Sequence, residues 1–105
     1  MAGRRTWSRI GIVLFLSGLS ASGCGATLYT VNIAPASRMV EQAGEANADE
    51  HASYEYYYAA EHLRKAREEA AEASYQDAMR FAAVAEEYGL KARDLARRRM
   101  REMGR

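Results

Sequence analysis

Alanine at helical spacing dominates the second half of this 105-residue chain. Two runs of apolar residues recur at intervals of three and four: Tyr56, Ala59, Leu63, Ala66, Ala70 and Ala73, then Ala78, Phe81, Ala82, Ala85, Tyr88, Ala92, Leu95 and Ala96. This spacing places each run on one face of a helix. Small side chains let two such faces approach closely. The pattern therefore predicts an all-α fold.

The two runs form either a hairpin or a single rod. Ser53 is suited to cap a helix that begins at Tyr54, and Ser74 with Asp77 resembles a capping box. No glycine or proline separates the runs, so one continuous helix or coiled coil from Ser53 to about Met103 is the alternative. We predict an antiparallel hairpin with helices over about 53–73 and 75–102, because serine at position 74 competes with mid-helix geometry.

The N-terminal part has the layout of a secretory signal peptide. Arg4, Arg5 and Arg9 precede an apolar run over residues 10–19, and small residues lead to Cys24, the only cysteine. The apolar run is shorter than the ~20 residues that span a bilayer. With cysteine at the cleavage point, residues 1–23 resemble a bacterial lipoprotein signal. That resemblance implies diacylglycerol and an N-acyl lipid on Cys24, which then becomes the membrane-anchored N-terminus.

Between the cysteine and the helical runs, the sequence predicts a tether and one short helix. Residues 24–35 contain β-branched and polar side chains without a helical period, and Pro35 favours an extended residue before it. Pro35 also suits a first helical turn. We therefore expect a lipid-anchored tether over 24–35 and a helical domain over 36–103, beginning with a helix over about 36–47.

Charge is distributed unevenly along the chain. Residues 25–90 contain five basic and twelve acidic side chains, whereas residues 91–105 contain seven basic and two acidic ones. Arg97, Arg98, Arg99 and Arg101 are candidates for contact with an anionic surface, at about 1 kcal/mol per charge near a membrane. The alternative is that they only complement the negative end of the helix dipole.

The stretch over residues 54–92 resembles a known family. It has a tyrosine cluster, followed by Leu63, Lys65-Ala66-Arg67-Glu68, Tyr75 with Ala78, and Ala85-Glu86-Glu87-Tyr88. These features are similar to those of a 4398-type domain of unknown function, found in short envelope lipoproteins. The resemblance implies a helical hairpin in the cell envelope, with no assigned activity. Residues 75–85 are also similar to the second helix of a tetratricopeptide repeat, which we attribute to shared hairpin packing.

Chemistry-bearing motifs are sparse. His51 and His62 have no second histidine at helical spacing, so we expect solvated histidines and no metal site. The sequence contains no phosphate-binding glycine loop and no nucleophile elbow. We predict a protein that is not an enzyme and has no cofactor other than its covalent lipid.

The tyrosine cluster is the second candidate binding feature. Tyr54, Tyr56, Tyr57 and Tyr58 cannot all lie on one helix face, because consecutive positions differ by about 100°. Tyrosine is favoured at interfaces.

Our leading hypothesis is a helical adaptor for an envelope partner. We expect it to be anchored at the periplasmic face of the outer membrane, since Gly25 replaces the aspartate associated with inner-membrane retention. The alternatives are a peptidoglycan- or saccharide-binding module and a self-associating spacer; nucleic acid is not an expected partner.

Overall fold

The described part of the chain is almost entirely helical. A computed structural model describes residues 23–104, with side chains described over 32–104. Four helices and no strand lie within this part: α1 (Gly23–Glu45), α2 (Ala48–His51), α3 (Ser53–Ala71) and α4 (Tyr75–Met103). The predicted all-α class is confirmed.

Helix α4 is the centre of the bundle. It packs extensively against both α1 and α3, whereas α1 and α3 contact each other less. The rings of Tyr58 and Tyr88 lie 4.4 Å apart, and Lys65 lies over Phe81, so α3 and α4 are antiparallel. The predicted hairpin is therefore correct, and the continuous rod is excluded.

Helix α1 runs parallel to α4. Near its start, Asn32 donates a hydrogen bond to the sulfur of Met79. Near its end, Gln42 accepts one from Arg93 at 2.8 Å. The three long helices therefore run up, down and up. As a result α1 begins at one end of the bundle, here called the proximal end, and α4 terminates at the opposite, distal end.

The core consists almost entirely of alanine. Among the described residues, the only buried apolar side chain larger than alanine is Leu63. One cluster forms around Leu63 near the middle of the bundle and a second lies towards the distal end. The buried alanines are Ala36, Ala43, Ala48, Ala52, Ala59, Ala66, Ala78, Ala82, Ala85, Ala92 and Ala96. The helices approach closely because their contact faces carry so little side-chain volume.

The chain reverses between α3 and α4 through a Schellman motif. Ala73 adopts a left-handed conformation with φ of 62°. The N–H of Ser74 donates to the Glu69 carbonyl, and that of Ala73 donates to the Ala70 carbonyl, which is the hydrogen-bond pattern of this motif. Ser74 does precede α4, but its side chain makes no capping hydrogen bond. The predicted capping box was therefore wrong, and the helix break comes from the end of α3.

The prediction of a flexible tether over residues 24–35, without helical structure, was also wrong. Helix α1 already includes residues 24–35, and Pro35 lies inside it. An interior proline removes one helical hydrogen bond and costs about 3 kcal/mol. Packing offsets this cost, since Ile33 and Val40 lie against the core cluster around Ala36. The helical body thus begins upstream of residue 36, and the predicted short helix is the second half of α1.

The connection between α1 and α3 contains the short helix α2, which was not predicted. Ser53 is the first residue of α3, not its N-cap. Its hydroxyl instead donates to the Asp49 carbonyl at 2.7 Å. Asn47, with φ of 56°, ends the preceding helix in a left-handed conformation that asparagine tolerates well. These local bonds place the start of α3 beside the last turns of α4.

Candidate functional site

The four clustered tyrosines divide into two structural classes. Tyr54 and Tyr57 are 69% and 61% exposed, whereas Tyr56 and Tyr58 are half-buried. Tyr56 faces α1, where its ring lies next to Gly44. Tyr58 faces α4. Only Tyr54 and Tyr57 therefore offer most of their surface to a partner.

Tyr58 belongs to an aromatic seam between α3 and α4. Its ring centroid lies 4.4 Å from that of Tyr88 and 4.2 Å from that of His62, and Tyr54 stacks on it at 5.8 Å. His62 continues the seam to Phe81 at 5.9 Å. Rings at such separations attract one another beyond simple burial. Tyr58 therefore stabilises the hairpin.

His62 is not the solvated side chain that the sequence suggested. Its ring is half-buried between Tyr58 and Phe81. Its Nδ1 lies 2.8 Å from the Tyr58 carbonyl oxygen. A carbonyl oxygen only accepts, so Nδ1 carries the proton in this contact. His62 is thus a packing residue of the seam.

The arginines of the α4 end also divide into two classes. Arg99 donates to the carbonyl oxygen of His51 and so ties α4 to α2. Arg97, Arg98 and Arg101 are exposed, and none makes an ion pair or hydrogen bond with another described residue. Three of the four predicted arginines are therefore free to meet an external anion.

The exposed tyrosines and the unpaired arginines lie in the same half of the bundle. Because α3 and α4 are antiparallel, α3 begins in the distal half, where Ala52 clusters with Ala92 and Ala96, and α4 continues beyond it to Met103. Met100 and Met103 also lie there and are 42% and 64% exposed. Neither methionine was a candidate from the sequence. We call this set the distal surface: Tyr54, Tyr57, Arg97, Arg98, Met100, Arg101 and Met103. The predicted antiparallel hairpin could have linked the tyrosines with the arginines, because it places the start of α3 beside the second half of α4.

An open groove of about 400 Å³ runs between α3 and α4 beside the distal surface. It is lined by Glu55, Leu90, Lys91, Asp94, Leu95 and Arg98. Lys91 bonds to Glu87 at 2.7 Å and lies 4.6 Å from the Tyr88 ring centroid. The hydrogen bond to Glu87 raises the pKa of Lys91, with smaller contributions from the charges of Glu87, Tyr88 and Glu55. Lys91 is therefore firmly cationic, in a groove that carries both charge signs.

A second open groove of about 540 Å³ lies between α1 and α4, towards the proximal end. It is lined by Asn32, Gln76, Met79, Arg80 and Ala83. Its cation, Arg80, is paired with Asp77. Within residues 32–104, no three side chains of the metal-binding types are grouped so that they could hold an ion.

The predicted anchor lies almost wholly outside the described residues. The signal peptide over 1–23 falls there except for Gly23, and the side chain of Cys24 is also outside the description. The backbone of Cys24 is the second residue of α1, at the proximal end. Over residues 23–104, no helix combines the length and apolar character needed to cross a bilayer.

The fold is thus a small all-α bundle with exposed aromatic and cationic side chains in its distal half. Residues 31–104 match the family model described as Domain of unknown function (DUF4398), from the middle of α1 to the end of α4. The chain belongs to this family. No curated protein and no solved structure matches it.

Proposed function

We propose that this chain is a non-enzymatic adaptor of the cell envelope, lipid-anchored through Cys24, that presents a partner-binding surface at its far end. The observation that carries the proposal is that Tyr54, Tyr57, Arg97, Arg98 and Arg101 are all exposed in the distal half of the bundle. Tyrosine, arginine and methionine are the residue types enriched where proteins bind each other. Here all three types are exposed in the same half of the molecule.

The position of Cys24 at the proximal end, away from the distal surface, fits a protein that is anchored through this cysteine. Cys24 begins α1 at the proximal end, and the distal surface lies at the opposite end of α4. A helix of 29 residues is about 43 Å long at 1.5 Å per residue. A lipid on Cys24 therefore leaves the distal surface clear of the leaflet that holds it. Confinement to a membrane also raises the effective concentration of the protein for a neighbouring partner.

The proposal is tested by crosslinking in cells that produce the full-length protein. Wild type is compared with Cys24→Ser, which cannot be acylated, and with Tyr54→Ala/Tyr57→Ala, which removes the two most exposed rings of the cluster. Because Tyr54 also stacks on Tyr58, circular dichroism verifies that this variant remains helical. We expect a specific envelope protein to be recovered with wild type and lost with both variants. Recovery of only the protein itself would instead support a spacer, and equal recovery with the tyrosine variant would contradict the assigned surface.

A second candidate function is saccharide binding, since the exposed rings of Tyr54 and Tyr57 can stack on sugar faces. Tyr58 is unsuited to such a test because its substitution weakens the hairpin. Sedimentation with isolated peptidoglycan is the measurement, with Tyr54→Ala/Tyr57→Ala as the variant and circular dichroism as the folding control. Loss of sedimentation at unchanged helicity would favour wall binding over the adaptor.

A further inference from the structure

The last turn of α4 extends beyond the helices that pack against it. Arg99 is level with α2, because its guanidinium reaches the carbonyl of His51. Residues 100–103 continue the helix past this contact. Met100 and Met103 follow Ala92 and Ala96 at helical spacing, so they prolong the core-facing stripe of α4. There the stripe becomes exposed, leaving apolar side chains in solvent at the tip.

Cationic and apolar side chains together surround this helix end. At about 100° per residue, Arg97, Arg98 and Arg101 lie within roughly 100° of one another around the α4 axis. Met100 lies about 60° from Arg97 and Met103 about 120° from it, on the side away from the other two arginines. A partner that approaches from the side meets only some of these side chains. A partner that approaches along the axis meets the arginines and the methionines together.

The arginine charges at the tip are not neutralised within the bundle. Arg64, Arg80 and Lys91 each pair with a carboxylate, but Arg97, Arg98 and Arg101 pair with none in the described part of the chain. Four arginines and a single acid, Glu102, lie within residues 97–103. Two copies meeting tip to tip would repel each other. The charge of the tip therefore favours an anionic occupant over a second copy of the same tip.

We propose that the tip of α4 binds the surface of an anionic lipid bilayer end-on. A planar layer of anionic headgroups meets the three arginines on one sector of the helix end, while the methionines of the neighbouring sector enter the boundary with the acyl chains. The inference rests on the proposed lipid anchor. With Cys24 at the proximal end, the tip reaches a membrane other than the leaflet that holds the anchor. The chain is then a bridge between two apposed membranes.

Capture of one vesicle population by another tests the bridge directly. Full-length acylated protein is reconstituted into immobilised vesicles of neutral phosphatidylcholine. Fluorescent acceptor vesicles contain either phosphatidylcholine alone or equal parts of phosphatidylcholine and anionic phosphatidylglycerol. We expect capture of the anionic acceptors only. Capture should weaken as salt is raised, because the contact is electrostatic and exposed.

The decisive variant is Arg97→Gln/Arg98→Gln/Arg101→Gln. At about 1 kcal/mol per arginine, its affinity for anionic acceptors should fall by about 100-fold. The matched control is Arg64→Gln/Arg67→Gln/Arg80→Gln, which removes the same charge away from the tip and should capture nearly as well as wild type. Met100→Ser/Met103→Ser should lose several-fold at unchanged charge. Circular dichroism verifies that each variant remains helical.

Several outcomes would overturn the proposal. Capture of neutral acceptors as efficiently as anionic ones would show that headgroup charge is not recognised. An equal loss in the two triple variants would assign the effect to net charge instead of the tip. Absence of capture by wild type would leave an acidic protein surface as the occupant. Failure of the anchor itself is distinguishable, because unacylated protein is missing from the immobilised vesicles before any acceptor is added.

Discussion

Gly89 of α4 lies so close to Met39 of α1 that the two helices almost touch at their backbones. A Cβ placed on Gly89 would be 2.9 Å from the Met39 Cβ and 3.0 Å from its carbonyl carbon. The same atom would be 3.1 Å from the Val40 nitrogen. Glycine is therefore required here by interhelical distance, within a regular stretch of helix. The contact fixes where α1 crosses α4.

Substitution of Gly89 by alanine should destabilise the bundle. Overpacking of this kind costs about 1–3 kcal/mol, and the better helix propensity of alanine returns up to about 1 kcal/mol. We expect a net loss of about 1–2 kcal/mol in urea unfolding. Gly44→Ala is the matched control, because a Cβ there would meet only the Tyr56 ring at 3.5 Å or more. It should leave stability unchanged or raise it; a loss at both positions would contradict the close-approach argument.

Adjacent tyrosines should respond very differently to truncation. Tyr58→Ala removes ring contacts with Tyr88 and His62 and should cost about 2 kcal/mol. Tyr57→Ala removes a ring that is 61% exposed and should stay within about 0.5 kcal/mol of wild type. Thermal unfolding followed by circular dichroism measures both. Similar losses would mean that Tyr58 has no special role in the hairpin.

The left-handed residue between α3 and α4 offers a stabilising substitution. Ala73 has φ of 62°, a conformation that costs an L-residue about 1–2 kcal/mol and glycine almost nothing. Ala73→Gly should therefore raise the free energy of unfolding by up to about 1 kcal/mol. Ala71→Gly, two residues earlier and still helical, should lower it by a similar amount. Opposite signs in urea titrations would verify the Schellman turn, and equal signs would refute it.

Acid should weaken one ion pair on the outer face of α3. A hydrogen bond from Arg64 lowers the pKa of Glu61, assisted by the charges of Arg64, Lys65 and His62. A carboxyl whose pKa is lower in the folded state stabilises that state above its unfolded pKa. The contribution disappears as pH falls through the folded pKa. NMR titration should show the pKa of Glu61 rising in Arg64→Gln but not in Arg67→Gln, whose guanidinium contacts Ser37. No rise in the first variant would refute the pairing.

The core-facing side of the hairpin was predictable because helical periodicity needs only local information. Ala59, Leu63 and Ala66 lie buried where the spacing placed them, and the last two cluster with Ala82 and Ala85. The turn was harder to identify, because alanine at position 73 is not a residue associated with left-handed helix ends. The close contact at Gly89 depends on α1, whose packing partner is remote in sequence.

Helix α1 shows why the remaining part of the fold was not predictable from the sequence. Local signals before Pro35 favour an extended residue there, whereas α1 continues through Pro35 and Ile33 packs against the core cluster around Ala36. Part of the candidate site also depends on contacts between helices that the sequence does not reveal. Sequence alone could not separate Arg99, which bonds to α2, from its unpaired neighbours, or Tyr58 from Tyr57. The role of Cys24 and the membrane location remain predictions.

In a core built from alanine, substitutions that enlarge a buried side chain are more destabilising than those that truncate one. In most cores the harmful change is truncation, which leaves a cavity behind. Here Leu63 is the one large buried apolar side chain in the described residues, so little remains to cut away. Almost every other substitution at a buried position enlarges a side chain and forces the helices apart. We therefore expect tolerance at these sites to decline with side-chain volume more than with polarity, so that serine is accepted where leucine is not.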